Sequence, residues 1–451
     1  MKPIEGASTL KPALGLVALT LFGVGDILGS GVYALVGNIG GKVGTAAWIS
    51  FLMASFTAAL TGLAYAELAS RYPKAGGAAH YTQQIFRTPL LTFYVIFFVA
   101  MSGLFSFATA ATIVAKYGML AFPDLSDWSK TALASYGIPF VFIFVVGYVC
   151  AVGVKLSSWV NVVCCVVEIS VLLLIIVVGW KFLGTVRLTN VQGGDTTWAT
   201  MTVLMAGAST AFFAFIGFED LANLAEEAKN PKRDIPIAIC LAVLITSTIY
   251  CLITAIATSV MTPGALAASE VPLAEVTTTA APWVPSKVFS VVPIFAVFNT
   301  GLLNLIMASR LMYGMARREN RILPGILSYV HPRFQTPLIA VVFSCAIVVI
   351  MILSRGDIGV LAGGTTTFLL IVFSILHLGL IRLKMLRDQP EESFFRIPMG
   401  IPIIGLVTCV ALLFSRSKLN YIVAGSLIIV AAILFIINRF YMGKREIEAI
   451  D

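Results

Sequence analysis

Charge is what this sequence has least of. Only 12% of its 451 residues are Asp, Glu, Lys or Arg, 59% are apolar, and the mean hydropathy is +0.96. Soluble domains carry about 25% charged residues. The deficit excludes a soluble globular protein and leaves no segment for a soluble catalytic domain. Histidine is scarcer still: there are three, and only His377 falls inside an apolar run. No His/Asp/Glu cluster has the spacing of a metal centre or an acid–base constellation, so no metal, no cofactor and no enzymatic activity are expected. The seven cysteines (150, 164, 165, 240, 251, 345 and 409) all lie in apolar runs and are odd in number. They show neither a disulfide framework nor metal-ligand spacing, and read as small buried apolar residues. A glycine–lysine phosphate loop is missing, which argues against an ATP-driven pump. A short h-region is missing too, because the first apolar run is full length, and no cleavable signal is expected.

Present instead are apolar runs close to the ~20 residues that cross a bilayer as a helix. They lie near 14–36, 45–68, 88–119, 137–154, 157–181, 200–223, 235–261, 288–314, 336–354, 358–381, 399–415 and 420–441. The expectation is an all-α polytopic membrane protein of about twelve helices, a single transporter domain over 1–451. With the N-terminus cytoplasmic, the inner ends and loops hold about 21 of the 30 basic residues, a positive-inside bias. Both termini are then cytoplasmic, and an inner or plasma membrane is the expected location. A basic rim beside anionic lipid accounts for the net charge of +8 without nucleic acid. Glu67, Arg71 and Lys74 fall at the inner end of the second run, where rim packing is expected and a salt-bridge or gate role is the alternative.

Two runs are interrupted. Gly25-Asp26-Ile27-Leu28-Gly29-Ser30-Gly31-Val32-Tyr33 places three glycines, a serine and a carboxylate at membrane depth in the first. Lipid cannot satisfy unwound backbone, so such a break must be packed in protein or line a polar cavity. Two readings stand side by side: a solute site, or close helix packing through Gly25 and Gly29, four residues apart. The sixth run repeats the anomaly, with Gly217 inside Phe212–Phe218 and Glu219 and Asp220 directly after it. Runs one to five (14–181) and six to ten (200–384) thus form two halves, each opening with an interrupted helix; 399–441 holds two further helices. An odd number of spans inverts the second half, and paired broken helices in inverted repeats point to a midplane transport site.

The motifs Gly29-Ser30-Gly31-Val32-Tyr33, Tyr65-Ala66-Glu67-Leu68 with Tyr72-Pro73-Lys74-Ala75-Gly76-Gly77, Phe215-Ile216-Gly217-Phe218-Glu219 continuing to Ile235-Pro236, and Ser309-Arg310 with Tyr313-Gly314-Met315-Ala316-Arg317 occur in that order. In this the chain resembles the amino-acid–polyamine–organocation superfamily. The resemblance implies an amino-acid transporter with a five-plus-five inverted-repeat fold and alternating access. Proton-coupled symport is expected, with amino-acid or polyamine exchange as the alternative and a channel less favoured, because polarity concentrates at two breaks and forms no continuous pore stripe. The expected partners are an amino acid, protons and membrane lipid.

A zwitterion stripped of water needs partners for both charges. Its carboxylate suits N–H groups where the first helix restarts, at Ser30 and Gly31. Its ammonium suits carbonyls where helices stop, at Ile27 and from Phe213 through Phe215 to Ile216. Gly29 and Gly217 permit close approach. The resemblance implies the same division, with Phe213 standing where relatives place a gating aromatic. Asn304 is a further contact or, like Asn299, interhelical glue. Asp26, Glu168 and Glu219 are coupling or gating candidates, since carboxylates inside spans face cavities or partners. For Asp26, contact with a cationic group, proton carriage and buttressing of the break all remain open. At Glu168 proton-coupled relatives carry a lysine that stands in for sodium, a mechanism a glutamate cannot inherit. No pair of Ser/Thr hydroxyls suited to sodium is evident in the eighth run.

Overall fold

The structure, a computed structural model, describes residues 14–73, 76–121, 132–225, 227–284, 286–317, 323–354, 358–386 and 395–448. Among them are fifteen α-helices and no strand: α1 Leu16–Val43, α2 Ala47–Arg71, α3 Gly77–Phe86, α4 Pro89–Ala121, α5 Ala132–Val152, α6 Val154–Gly179, α7 Thr197–Ala211, α8 Pro231–Val260, α9 Pro263–Ala268, α10 Pro272–Ala280, α11 Ser286–Ala316, α12 Leu338–Leu353, α13 Ile358–Met385, α14 Gly400–Phe414 and α15 Lys418–Glu448. Nine helical spans are long and apolar enough to cross a bilayer, and shorter apolar helices at 136–152, 338–353 and 400–414 bring the total to the expected twelve. The protein is therefore an integral, multi-pass, all-α membrane protein.

Local chemistry sets the helix ends. Gly44, at φ 90°, stops α1 and donates its N–H to Gly40 O, a conformation that costs a glycine little. Thr196 caps α7 by accepting from the Ala199 N–H, and Asn230-Pro231 starts α8 with proline in its first turn. Side chains facing outward are apolar, as at Val17, Phe144, Val177 and Phe414, which suits a hydrocarbon surround.

The interior is built on two long pairings, α2 along α8 and α4 along α11, with α1 packed against α8, α11, α7 and α6. The start of α1 is tied down by backbone bonds from Leu14 N–H to Glu227 O (3.0 Å) and from Lys229 N–H to Leu14 O (2.9 Å). This places the first break deep in the bundle: every residue from Gly23 to Tyr33 is buried.

One expectation needs correction. Glu67 does not sit exposed at the rim but makes a buried salt bridge; it is 0% exposed, because the end of α13 and the segment before α14 bond to it. Arg71 Nε donates to Glu67 Oε1 (3.0 Å), while Lys384 Nζ (2.7 Å) and the Ile397 N–H (2.9 Å) donate to Oε2. Lys384 also donates to Ile397 O (2.6 Å). A buried carboxylate with this many donors fixes the relative positions of α2, α13 and the 395–397 segment. Lys74 lies outside the described residues. Because Glu67→Gln removes the buried anion that Lys384 and Arg71 share, it is expected to cost about 3–5 kcal/mol and to lower the unfolding temperature in detergent. Lys384→Met, which leaves Glu67 its Arg71 partner, lowers it less.

Candidate functional site

Helix α1 leaves helical geometry at Gly29 (φ 0°, ψ −148°). The sixth span is broken more extensively. Helix α7 passes into a 3-10 turn at 212–215, Ile216 is extended, Gly217 sits at φ 132°, and a second 3-10 segment runs over 218–224. At that φ a side chain is strained, and a Cβ on Gly217 would also stand 2.9 Å from the carbonyl carbon of Asp26. A Cβ on Gly31 would stand 2.7 Å from the Ala214 Cβ. The two breaks therefore interlock, each glycine admitting the backbone of the other break.

Five of the loosened backbone groups have side-chain partners. Tyr250 OH donates into the pair Ile27 O (2.7 Å) and Leu28 O (2.9 Å). The Ser30 N–H donates to Thr300 Oγ1 (2.9 Å) and the Gly217 N–H to Glu219 Oε2 (2.9 Å). Asn299 Nδ2 lies 3.4 Å from Gly25 O. The breaks are thus held open by α8, α11 and the chain's own acid, in place of the helical bonds they forgo.

Between the breaks lies a cavity of about 20 Å³, lined by Asp26, Ile27, Gly29, Ser30, Gly31, Phe213, Ile216, Gly217, Glu219 and Asn304 among others. That is room for about one water molecule, and too little for an amino acid without rearrangement. A larger vestibule of about 620 Å³, lined by Tyr33, Lys42, Lys116, Glu270 and Arg416, lies at the Lys42 end of α1. A second small cavity of about 40 Å³, bordered by Tyr65, Gly77 and Asn223, adjoins the first through Glu219 and Asp220. No Lys, Arg or His is among the described residues lining either small cavity. Three carboxylates, those of Asp26, Glu219 and Asp220, therefore converge without a basic counterpart.

A family model described as amino acid permease matches residues 14–438, which takes in both breaks and nearly every span. The chain belongs to the amino acid permease family. It is 28% identical to the branched-chain amino acid permease BcaP of Bacillus subtilis, over 98% of this chain and 95% of that protein. It is 26% identical to the methylthioribose transporter of the same organism, over 99% of this chain and 98% of that protein. Identity to cationic amino acid transporter 4 of Mus musculus is 27%, over 87% of this chain and 63% of that protein.

In this permease the residues singled out from the sequence come together at one cavity, with two exceptions. Phe215 is not at the cavity; it packs against Tyr250 (ring centroids 5.3 Å apart) and Phe51 (6.5 Å). Glu168, on α6, is fully buried outside the cavity, near Tyr33 and Tyr250, and neither carboxylate oxygen has a hydrogen-bond partner among the described residues. The α6 side chain that meets the first break is Cys165: a Cβ on Gly25 would stand 2.8 Å from its Cβ. Asn304 Nδ2 donates to Thr300 O (2.9 Å), within α11.

Sequence reasoning missed Ser102 and Ser106 on α4, Thr300 and Met307 on α11, Leu369 on α13, and the part played by Asp220. A signal existed for four of these. Ser102/Ser106 and Thr300/Asn304 are polar pairs four apart on apolar helices, which places each pair on one face. Met307 follows Asn304 by one turn, and Leu369 carries no distinguishing mark. Tyr250 was likewise invisible, a lone tyrosine in an apolar run. Tyr250→Phe leaves two buried carbonyls without their donor and is expected to cost about 1–3 kcal/mol, read as a lowered unfolding temperature of the purified permease.

Proposed function

We propose that this permease is a secondary active transporter of amino acids, working by alternating access and driven by proton symport. It would act in the plasma membrane with both termini cytoplasmic, in keeping with the bias of basic residues toward one set of loops. The observation that carries the reading is the pair of helix breaks interlocked around one small cavity at the centre of the bundle. The segments 14–181 and 200–384 would be its inverted halves, each contributing the break in its first span.

In this reading the substrate carboxylate takes the N–H groups at Ser30 and Gly31, displacing Thr300 Oγ1 from Ser30. Its ammonium takes carbonyls at Ile27 and around Phe213–Ile216, with the cavity carboxylates supplying negative potential. Phe213, Ile216, Met307 and Leu369 form an apolar side of the same cavity, which fits an apolar side chain such as the name of the Bacillus relative indicates. The uncompensated carboxylates favour a second reading, a cationic side chain, as the name of the mouse relative indicates. Closure to about 20 Å³ fits a conformation between the two open ones, and the cycle would alternately join this cavity to the vestibule and to the opposite face.

Purified protein in liposomes is expected to take up one class of amino acid saturably, to show counterflow, and to be driven by an inward proton gradient that a protonophore abolishes. Gradient-insensitive uptake with obligatory counter-substrate would establish exchange instead. Gly217→Ala is expected to lower uptake by roughly tenfold or more, because backbone strain of ~1–3 kcal/mol falls on the break itself. Glu168 lies outside the cavity and, among the described residues, is joined to it by no hydrogen bond, so Glu168→Gln is expected to keep the response to the proton gradient. A lost response would move the coupling proton to Glu168.

A further inference from the structure

The carboxyl groups of Asp26 and Asp220 meet at the small cavity between the breaks, which both residues line, within reach of a hydrogen bond to each other. An ionised carboxylate offers only acceptors, so two of them can bond only through a proton. Their surroundings say where it rests. Asn223 Nδ2 donates to Asp220 Oδ1 (3.1 Å), which stabilises Asp220 as the anion. Asp26 Oδ2 has no partner among the described residues, which suits the acid form. Glu219 is engaged within its own break, where its Oε2 accepts the Gly217 N–H.

Among the described residues, the groups facing this pair include no cation. The 3-10 segment brings Glu219, α6 brings Cys165, and α2 brings Tyr65. The polar side chains lining the cavity from α4 and α11 are neutral, and α13 contributes Leu369. From α8, Tyr250 is engaged with Ile27 and Leu28. Like charges this close in a site that admits about one water cannot both ionise cheaply.

We propose that Asp26 and Asp220 together form a one-proton site, a carboxyl–carboxylate bond that fastens the first broken helix to the sixth. The bond joins the turn before Gly29 to the turn after Gly217, the two segments that border the passage toward Tyr65, Gly77 and Asn223. Loss of the proton to water through that neighbouring cavity leaves two facing anions. Their repulsion parts the segments and opens the site on that side; reprotonation closes it. The site would then be the coupling site of the proposed symport, a role that rests on the transport reading, whereas the proton itself does not.

Infrared spectra of the full chain in lipid at neutral pH test the proton without any transport assay. Subtracting the Asp26→Asn spectrum from wild type should reveal the carbonyl stretch of one protonated carboxylic acid, and subtracting Asp220→Asn should reveal the same band. The Glu219→Gln subtraction should not. The proposal is overturned if no such band is lost, or if it is lost in only one of the two aspartate variants. In liposomes, the substrate concentration at half-maximal uptake by wild type should change by up to about tenfold per pH unit; in both aspartate variants that dependence should flatten to less than about twofold. An unchanged dependence in both overturns the coupling role. Failure of any amino acid to be taken up would count against the transport reading, while the infrared result would still decide the shared proton.

Discussion

Everything in this bundle depends on how it satisfies the backbone of two helices that stop in mid-membrane. Hydrocarbon offers no hydrogen bonds, so each interrupted N–H or C=O needs a partner from within the protein. The partners come from three different elements: Tyr250 of α8 for Ile27 and Leu28, Thr300 of α11 for Ser30, and Glu219 of the sixth span itself for Gly217. Because they are side chains, these partners can be exchanged for a ligand in a way that helical bonds cannot. In the proposed transport reading, a site that binds a zwitterion and then closes over about one water's volume needs that reversibility.

The glycines serve the close packing that is one of the two readings of the first break. Gly31 and Gly217 let the two breaks touch, Gly25 admits Cys165, and Gly29 is the point where α1 leaves the helix. Packing of this closeness leaves room for about one water, and three carboxylates lie in that low-dielectric space with no basic side chain lining it among the described residues. The remote Glu67–Arg71–Lys384 network has the opposite character. Its one carboxylate is bonded to two cations and a backbone N–H, so it fastens α2 to α13 and to the 395–397 segment.

Much of this was legible in the sequence because membrane burial leaves few alternatives. Apolar runs of bilayer length gave the spans, and glycine beside carboxylate at membrane depth marked both breaks. Ten candidate residues lie around a single cavity, a convergence that follows from α1 and the sixth span interlocking. What stayed hidden was direction. Phe215 follows the sixth-span helix so closely that only its χ angles and the 3-10 turn decide that it faces Phe51 and Tyr250 and turns from the cavity. Glu168 and Cys165 are three apart on α6, and only the register of that helix against α1 decides which meets the break. Glu67 looked like a rim charge because its covering segment, 395–397, lies more than 300 residues away in the chain.

The central claim, that the paired breaks recognise an amino acid by both of its charged ends, is tested most directly by ligand-induced thermal stabilisation of the purified protein. A ligand that binds only the folded state at 100 times its dissociation constant adds about 2.7 kcal/mol. The account predicts saturable stabilisation by one class of amino acids. It further predicts that stabilisation is lost both for the methyl ester, which lacks the carboxylate, and for the decarboxylated amine. Equal stabilisation by the ester or the amine, or none by any amino acid, would contradict it.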